Sequence, residues 1–215
     1  MNDNLFETQY DLRKKTKIRE FYDKYKILLY SFFGILFIIL LFFNFYIEKK
    51  NKNRILLSEN YIQAKIYIEN DNKIKAKEIL RNIIFSNDST YSTLSLFLLI
   101  DENLIDDKKE LLKLFDHVLA NSELDKNIEN MIILKKSIFQ SGFAKENDLL
   151  SNLKPILSEE TLWKPHALLL MGDYYLKNNE KEKAKEFYNE ILVLKNLDNE
   201  FYNRANMQLA IINNE

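Results

Sequence analysis

The sequence predicts an all-α protein: one apolar membrane-crossing helix, then an α-solenoid of about four helical hairpins closed by a C-terminal capping helix. Three observations lead there. Residues Ile27 to Ile47 read ILLYSFFGILFIILLFFNFYI, 21 residues without a charge. Glycine and proline are scarce, at 3 and 2 in 215 residues, where average usage would supply roughly 15 and 11. A pattern of small and large residues also recurs along the remainder of the chain at intervals of 35, 38 and 35 residues.

The apolar run is flanked by charge. Residues 1–26 form a short basic tail with Arg13, Lys14, Lys15, Lys17, Arg19, Lys24 and Lys26. A helix over 27–47 rises about 31 Å, enough for a hydrocarbon core of about 30 Å. The run exceeds the usual h-region of a signal peptide, and its exit, Phe43-Asn44-Phe45-Tyr46-Ile47-Glu48-Lys49-Lys50, lacks a small-residue cleavage pattern. A retained single-span anchor is therefore expected. Only Lys49, Lys50, Lys52 and Arg54 follow closely behind it. The excess of basic residues ahead of the span places the N-terminus in the cytoplasm and the larger part of the chain outside.

Residues 48–57 read as a juxtamembrane linker or helix extension, and 58–215 as one helical domain. Without glycine or proline between Ile35 and Ser141, tight β-turns and barrel corners are hard to build. Asn and Asp clusters supply the breaks instead: Asn70-Asp71-Asn72, Asn87-Asp88-Ser89, Asp106-Asp107 and Asn178-Asn179.

The clearest repeat runs from Leu168 to Leu192. Leu168, Met171, Gly172, Tyr175, Ala184, Tyr188 and Ile191 match positions 4, 7, 8, 11, 20, 24 and 27 of the tetratricopeptide pattern. Small residues at 8 and 20 let two helices approach, and large ones fill the seam around them. Ala64, Tyr67, Ala76, Leu80 and Ile83 form a weaker copy. Ser137, Leu149, Leu153 and Ile156 form another. The poorest has Leu98, Phe115 and Val118 in place, but Leu at both small positions, the second being Leu111. Phe201, Ala205, Leu209 and Ile212 recur at helical spacing and supply the terminal cap that a solenoid needs. Pro165 suits a first helical turn. Pro155, late in its helix, should shorten or kink it.

Composition narrows the chemistry. The net charge is −1 and the part after the span carries no basic excess, which argues against binding a nucleic-acid backbone. There is no cysteine, hence no disulfide, thiolate metal site or cysteine nucleophile. The two histidines, His117 and His166, have no ligand motif beside them. No phosphate-binding glycine loop, nucleophile elbow or calcium loop is present. A non-enzymatic role without cofactor, metal or small-molecule substrate is expected.

A solenoid offers a concave face made by the first helix of each hairpin. In this register that face presents Leu96 and Ile100, then Met131, Leu134 and Ile138, then His166, Leu169 and Asp173. Two readings differ in the surface they predict. Either neighbouring helices cover these residues, or they form a groove for an extended or helical partner segment.

The layout of basic tail, single span and degenerate tetratricopeptide-like repeats, with Trp163 shortly before the best repeat, resembles the YfgM-like family of ancillary Sec-translocon subunits. Their domain is related to that of the cell-division coordinator CpoB. The resemblance implies a bacterial inner-membrane protein with its repeats in the periplasm. It also implies partners among Sec translocon subunits and periplasmic folding factors, including a prolyl-isomerase-like chaperone. A membrane-anchored adaptor is the expected function, and a scaffold for envelope assembly or cell division is the alternative.

Overall fold

The computed structural model describes residues 4–195 and 197–214, with side chains from residue 19 onward except that of Leu29. The first part of the basic tail thus lies outside the described side chains. Nine helices and no strand occur among the described residues: α1 (Asn4–Glu69), α2 (Lys73–Ile84), α3 (Tyr91–Asp101), α4 (Lys108–Asn121), α5 (Lys126–Gln140), α6 (Glu146–Leu157), α7 (Lys164–Lys177), α8 (Lys181–Leu192) and α9 (Asn199–Asn214). The chain divides into two compact units, one through Leu56 and one from Leu57 onward.

In the first unit every described side chain from Ile27 to Ile47 is exposed, Ile27 at 80% and Phe42 at 71%. Soluble surfaces rarely carry contiguous apolar patches of more than a few hundred Å². Asn44, the one carboxamide in the run, donates from Nδ2 to the Leu40 carbonyl at 3.1 Å. Part of its polar character is thus satisfied one turn back within the helix. Among the described residues, one helix is long and apolar enough to cross a membrane.

In the second unit, the helices end where Asn and Asp replace glycine. Asp71, Asn87, Asn103 and Asn179 adopt positive φ of 50–66°, the left-handed region that Asn and Asp tolerate better than other side chains. Three of them close a helix with the same paired bonds. Asn72 N–H donates to Tyr67 O, Leu104 N–H to Leu99 O, and Glu180 N–H to Tyr175 O, at 2.7, 2.9 and 2.9 Å. This six-to-one bond across a left-handed residue satisfies carbonyls left over at a helix C-terminus. In the third turn the left-handed residue is Asn103. Asp107 serves the next helix instead, its Oδ1 accepting from Lys109 N–H at 2.8 Å. Helix α6 runs through Pro155 and stops at Leu157, and Pro165 lies in the first turn of α7.

Helices α2 to α9 touch only elements one or two places away in the chain. The second helices of the four hairpins start at Lys73, Lys108, Glu146 and Lys181, the same intervals that separate the sequence repeats. Burial follows the same register. Ala64, Ala76, Leu80 and Ile83 are buried, as are Leu111, Phe115 and Val118, then Ser137, Leu149, Leu153 and Ile156, then Ala184, Tyr188 and Ile191. In the poorest copy Leu98 is only half-buried, and its neighbour Leu99 is fully enclosed.

In the last three hairpins the extent of packing follows the size of the two small positions. Contact is most extensive between α7 and α8, where these are Gly172 and Ala184. It is intermediate between α5 and α6, with Ser137 and Leu149, and sparsest between α3 and α4, with Leu99 and Leu111. At the tightest seam a Cβ added to Gly172 would lie 2.5 Å from Cε1 of Tyr188 and 2.8 Å from its Cζ. The ring cannot swing aside freely, because its hydroxyl donates to Asp173 Oδ1 at 2.7 Å.

Gly172→Ala therefore sets two effects against each other. Alanine gains about 1 kcal/mol of helix propensity, and overpacking of a tight core costs about 1–3 kcal/mol. The expected outcome is a lower melting temperature for the full chain in detergent, by roughly 2–4 °C for each kcal/mol of net loss. In a Tyr188→Leu background the same change should become neutral or stabilising. Circular dichroism melts of the four proteins of this cycle check the coupling, and simple additivity would refute it.

Candidate protein-binding surface

The structure divides the eight residues expected on the concave face. Leu96, Leu134 and Leu169 are core residues, exposed by 0, 4 and 5%. Leu96 and Leu134 belong to the two apolar core clusters, and Leu169 shows only a small edge of its side chain. Ile100 and Met131 are half-buried, as is Asp173, while Ile138 and His166 are exposed. One continuous groove through all eight is therefore not what the chain forms.

Four of them meet in one cleft. Ile138 from α5 and His166, Leu169 and Asp173 from α7 face Glu200, Phe201 and Arg204 from α9 around a volume of about 360 Å³. Helix α9, expected from the sequence only as a cap, is thus also a wall of the cleft. Its periodicity revealed a helix, but nothing in it indicated which face would turn towards α7.

Polar contacts hold this cleft in shape. Asp173 accepts from Tyr188 on one oxygen and from Arg204 Nη2 on the other, each at 2.7 Å. Burial first, and then Asp173, hold the Tyr188 hydroxyl protonated far above the ordinary phenol range. The His166 ring sits between Trp163 and Phe201, with ring centroids 5.3 and 4.6 Å away. Loss of water around it lowers its pKa, while the Leu162 backbone and Glu200 act in the opposite direction.

A comparable lock lies on the other side of α7. Tyr175 donates to Glu146 Oε1 at 2.7 Å, and Lys183 reaches the same oxygen at 2.9 Å. Glu146 is held below the usual carboxylate range, by Tyr175 first and Lys183 second. Burial, reinforced by Glu146, raises the Tyr175 hydroxyl well above its ordinary value. These groups join α6, α7 and α8, and each has a structural partner.

A second cleft, of about 410 Å³, opens between α3 and the start of α5, lined by Leu94, Phe97, Leu124, Ile128 and Met131 among others. Its walls are mostly apolar. Met131 belongs here and not with His166, so the expected face is broken into separate depressions. No group of three or more His, Cys, Asp or Glu side chains that could hold a metal occurs among the described residues.

The depressed pKa of His166 has a defined stability consequence. The unfolded chain takes up a proton near the ordinary value of 6.5, before the folded chain does. The stability is fully present above that value and is lost as pH falls through the folded pKa. The wild-type melting temperature should therefore fall between about pH 7.5 and 5.5. His166→Phe, which keeps a ring between Trp163 and Phe201, should flatten that fall. Equal slopes in the two proteins would show that His166 is not responsible.

Comparison of the chain with protein-family models, with curated proteins and with solved structures finds no match in any of the three.

Proposed function

We propose that this is a single-span membrane adaptor. Residues 27–47 anchor it in a bacterial inner membrane, and a tetratricopeptide-like domain in the periplasm binds protein partners beside that membrane. The observation that carries the reading is the fully exposed apolar run. Lipid is the environment that covers such a surface, and burying each large apolar side chain is worth about 1.5–3 kcal/mol. The solenoid part of the reading is supported by contacts confined to near neighbours and by burial that keeps the repeat register.

The mechanism is binding combined with high local concentration. A tether on the same bilayer as its partner makes the second contact effectively intramolecular. The ordered polar groups around α7 serve packing, and the clefts beside α3 and α9 offer apolar and polar walls suited to protein segments. Sec translocon subunits and a periplasmic chaperone or prolyl-isomerase-like factor are the partners that the YfgM-like resemblance suggests.

Proximity cross-linking of the full chain in native membranes tests this. Sec channel subunits and periplasmic folding factors should be enriched. Enrichment of cell-wall synthases or division proteins in their place would transfer the protein to an envelope scaffold, and absence of both groups would end the adaptor reading. Topology has its own test, because the chain contains no cysteine. A cysteine at the exposed Asp106 (Asp106→Cys) should react with a membrane-impermeant thiol reagent outside spheroplasts. Labelling of Asn4→Cys with none at residue 106 would invert the orientation.

A further inference from the structure

A third depression lies at the loop edge of the helical stack and shares Phe201 with the cleft that holds His166. It is bounded by the start of α5, the loop from α6 to α7, and the loop from α8 to α9, and encloses about 650 Å³. Asn130 of α5 lines it and is completely buried, at 0% exposure. Neither the Oδ1 nor the Nδ2 of this side chain has a hydrogen-bond partner within the protein. Thr161, on the loop side of the same cleft, also leaves its hydroxyl oxygen unpaired.

A buried carboxamide without partners is costly, since it has lost water and gained nothing. Asn130 and Thr161 both line a cleft of about 650 Å³, so an occupant of that cleft is the nearest source of the missing partner.

The lining indicates the class of ligand. Leu162, Leu194, Leu197 and Phe201 give apolar walls, with Leu162 itself 76% exposed. Lys126, Lys164 and Lys195 are balanced by Glu159, Glu160 and Asp198 around the cleft. Lys126 and Lys164 are moreover paired with acidic residues on their own or neighbouring helices. A balanced rim attracts neither a phosphate nor a metal ion. A carboxamide presents one acceptor and two donors side by side, the complement of a peptide group with its N–H and C=O. Apolar walls around such a group suit the flanking side chains of an extended chain.

We infer that this cleft binds a short segment of partner polypeptide through its main chain, with the Asn130 carboxamide pairing one peptide group and the apolar walls taking a neighbouring side chain. The class of ligand rests on the adaptor reading. The site rests on Asn130, Thr161 and the cleft itself.

Trp163 is the single tryptophan of the chain and a built-in reporter. Its indole N–H donates to the carbonyl of Asn127, a lining residue, at 2.9 Å. The full chain in detergent is titrated with acetyl-Ala-Leu-Ala-amide, following Trp163 emission and heat by calorimetry. The matched probe replaces the Leu–Ala amide by an ester, which removes the N–H donor and weakens the carbonyl acceptor of one peptide group while keeping its shape. The tripeptide should give a saturable change. The ester should bind about tenfold more weakly, as loss of one buried hydrogen bond predicts. Asn130→Ala should weaken the tripeptide by a similar factor and abolish the difference between the two probes.

No saturable signal, or equal affinity for amide and ester in the wild type, would overturn the inference and leave ordered water as the partner of Asn130. So would unchanged tripeptide binding by a folded Asn130→Ala protein. If that variant fails to fold, the comparison of amide with ester in the wild type decides alone. Partners captured in membranes without peptide binding here would remove this cleft and leave the adaptor standing. Peptide binding here without any membrane partner would do the reverse.

Discussion

The packing of the C-terminal half depends on one close approach, that of the Tyr188 ring to the backbone of α7 at Gly172. A side chain at residue 172 would occupy the space of the ring, so the absence of a Cβ sets how near α8 can come to α7. The same tyrosine then fixes Asp173 through its hydroxyl, and Asp173 fixes Arg204 of α9. Three helices are thus registered by one aromatic residue and the two positions it touches. The ion pair from Asp173 to Arg204 is partly exposed and contributes little on its own, typically about 0–1 kcal/mol. Its value lies in direction, since it turns a particular face of α9 towards α7 and so makes the cleft that holds His166.

Away from that seam the constraint relaxes, and the core divides. Ala64 through Ile132 form one apolar cluster, and Leu134 through Ile212 form another. Helix α5 belongs to both: Ile132 faces one cluster and Leu134 the other. Cross-links on α5 reach backwards as well, with Lys136 to Asp116 at 2.6 Å and Phe139 beside Phe115. In a stack of near-neighbour contacts, each junction has to carry its own stability. The junction at α5 contains two buried polar residues, Asn130 and Ser137. Ser137 is explained by its small size at a seam position. Asn130 has no such explanation, and this difference is why it points to a ligand.

Much of this was legible from residue types. The all-helical class followed from missing glycine and proline, and the turns from Asn and Asp. Seam positions were legible because burial at a two-helix seam selects size directly. The third turn was misplaced because Asp107 and Asn103 both favour breaks. Composition cannot tell an N-cap from a left-handed C-terminal residue when both lie in one short loop. The concave-face residues were less legible for a different reason. Leu96, Leu134 and Leu169 lie at correct helical spacing for that face, but whether spacing means groove or core depends on how far the next hairpin rotates. That rotation is set by contacts between hairpins, such as Lys136 with Asp116 and Phe139 with Phe115, which belong to the tertiary structure. In a chain rich in Asn, only burial and lack of partners distinguish Asn130.

Anchoring and shallow recognition fit together physically. A cleft that offers one carboxamide and a few apolar contacts gives weak binding in free solution, because association must first overcome the loss of translational and rotational freedom. A partner held on the same membrane has already lost most of that freedom. Effective concentrations for short tethers lie in the millimolar range, so contacts of about that strength suffice for substantial occupancy. Main-chain recognition adds breadth, since a peptide group is common to every sequence and the apolar walls discriminate only coarsely. An adaptor that meets several clients beside one membrane benefits from that combination. A soluble protein with the same cleft would need a deeper pocket or more ordered polar partners to achieve the same occupancy. In the proposed reading the exposed apolar helix and the unpaired Asn130 are connected: an anchor would make a modest binding site sufficient.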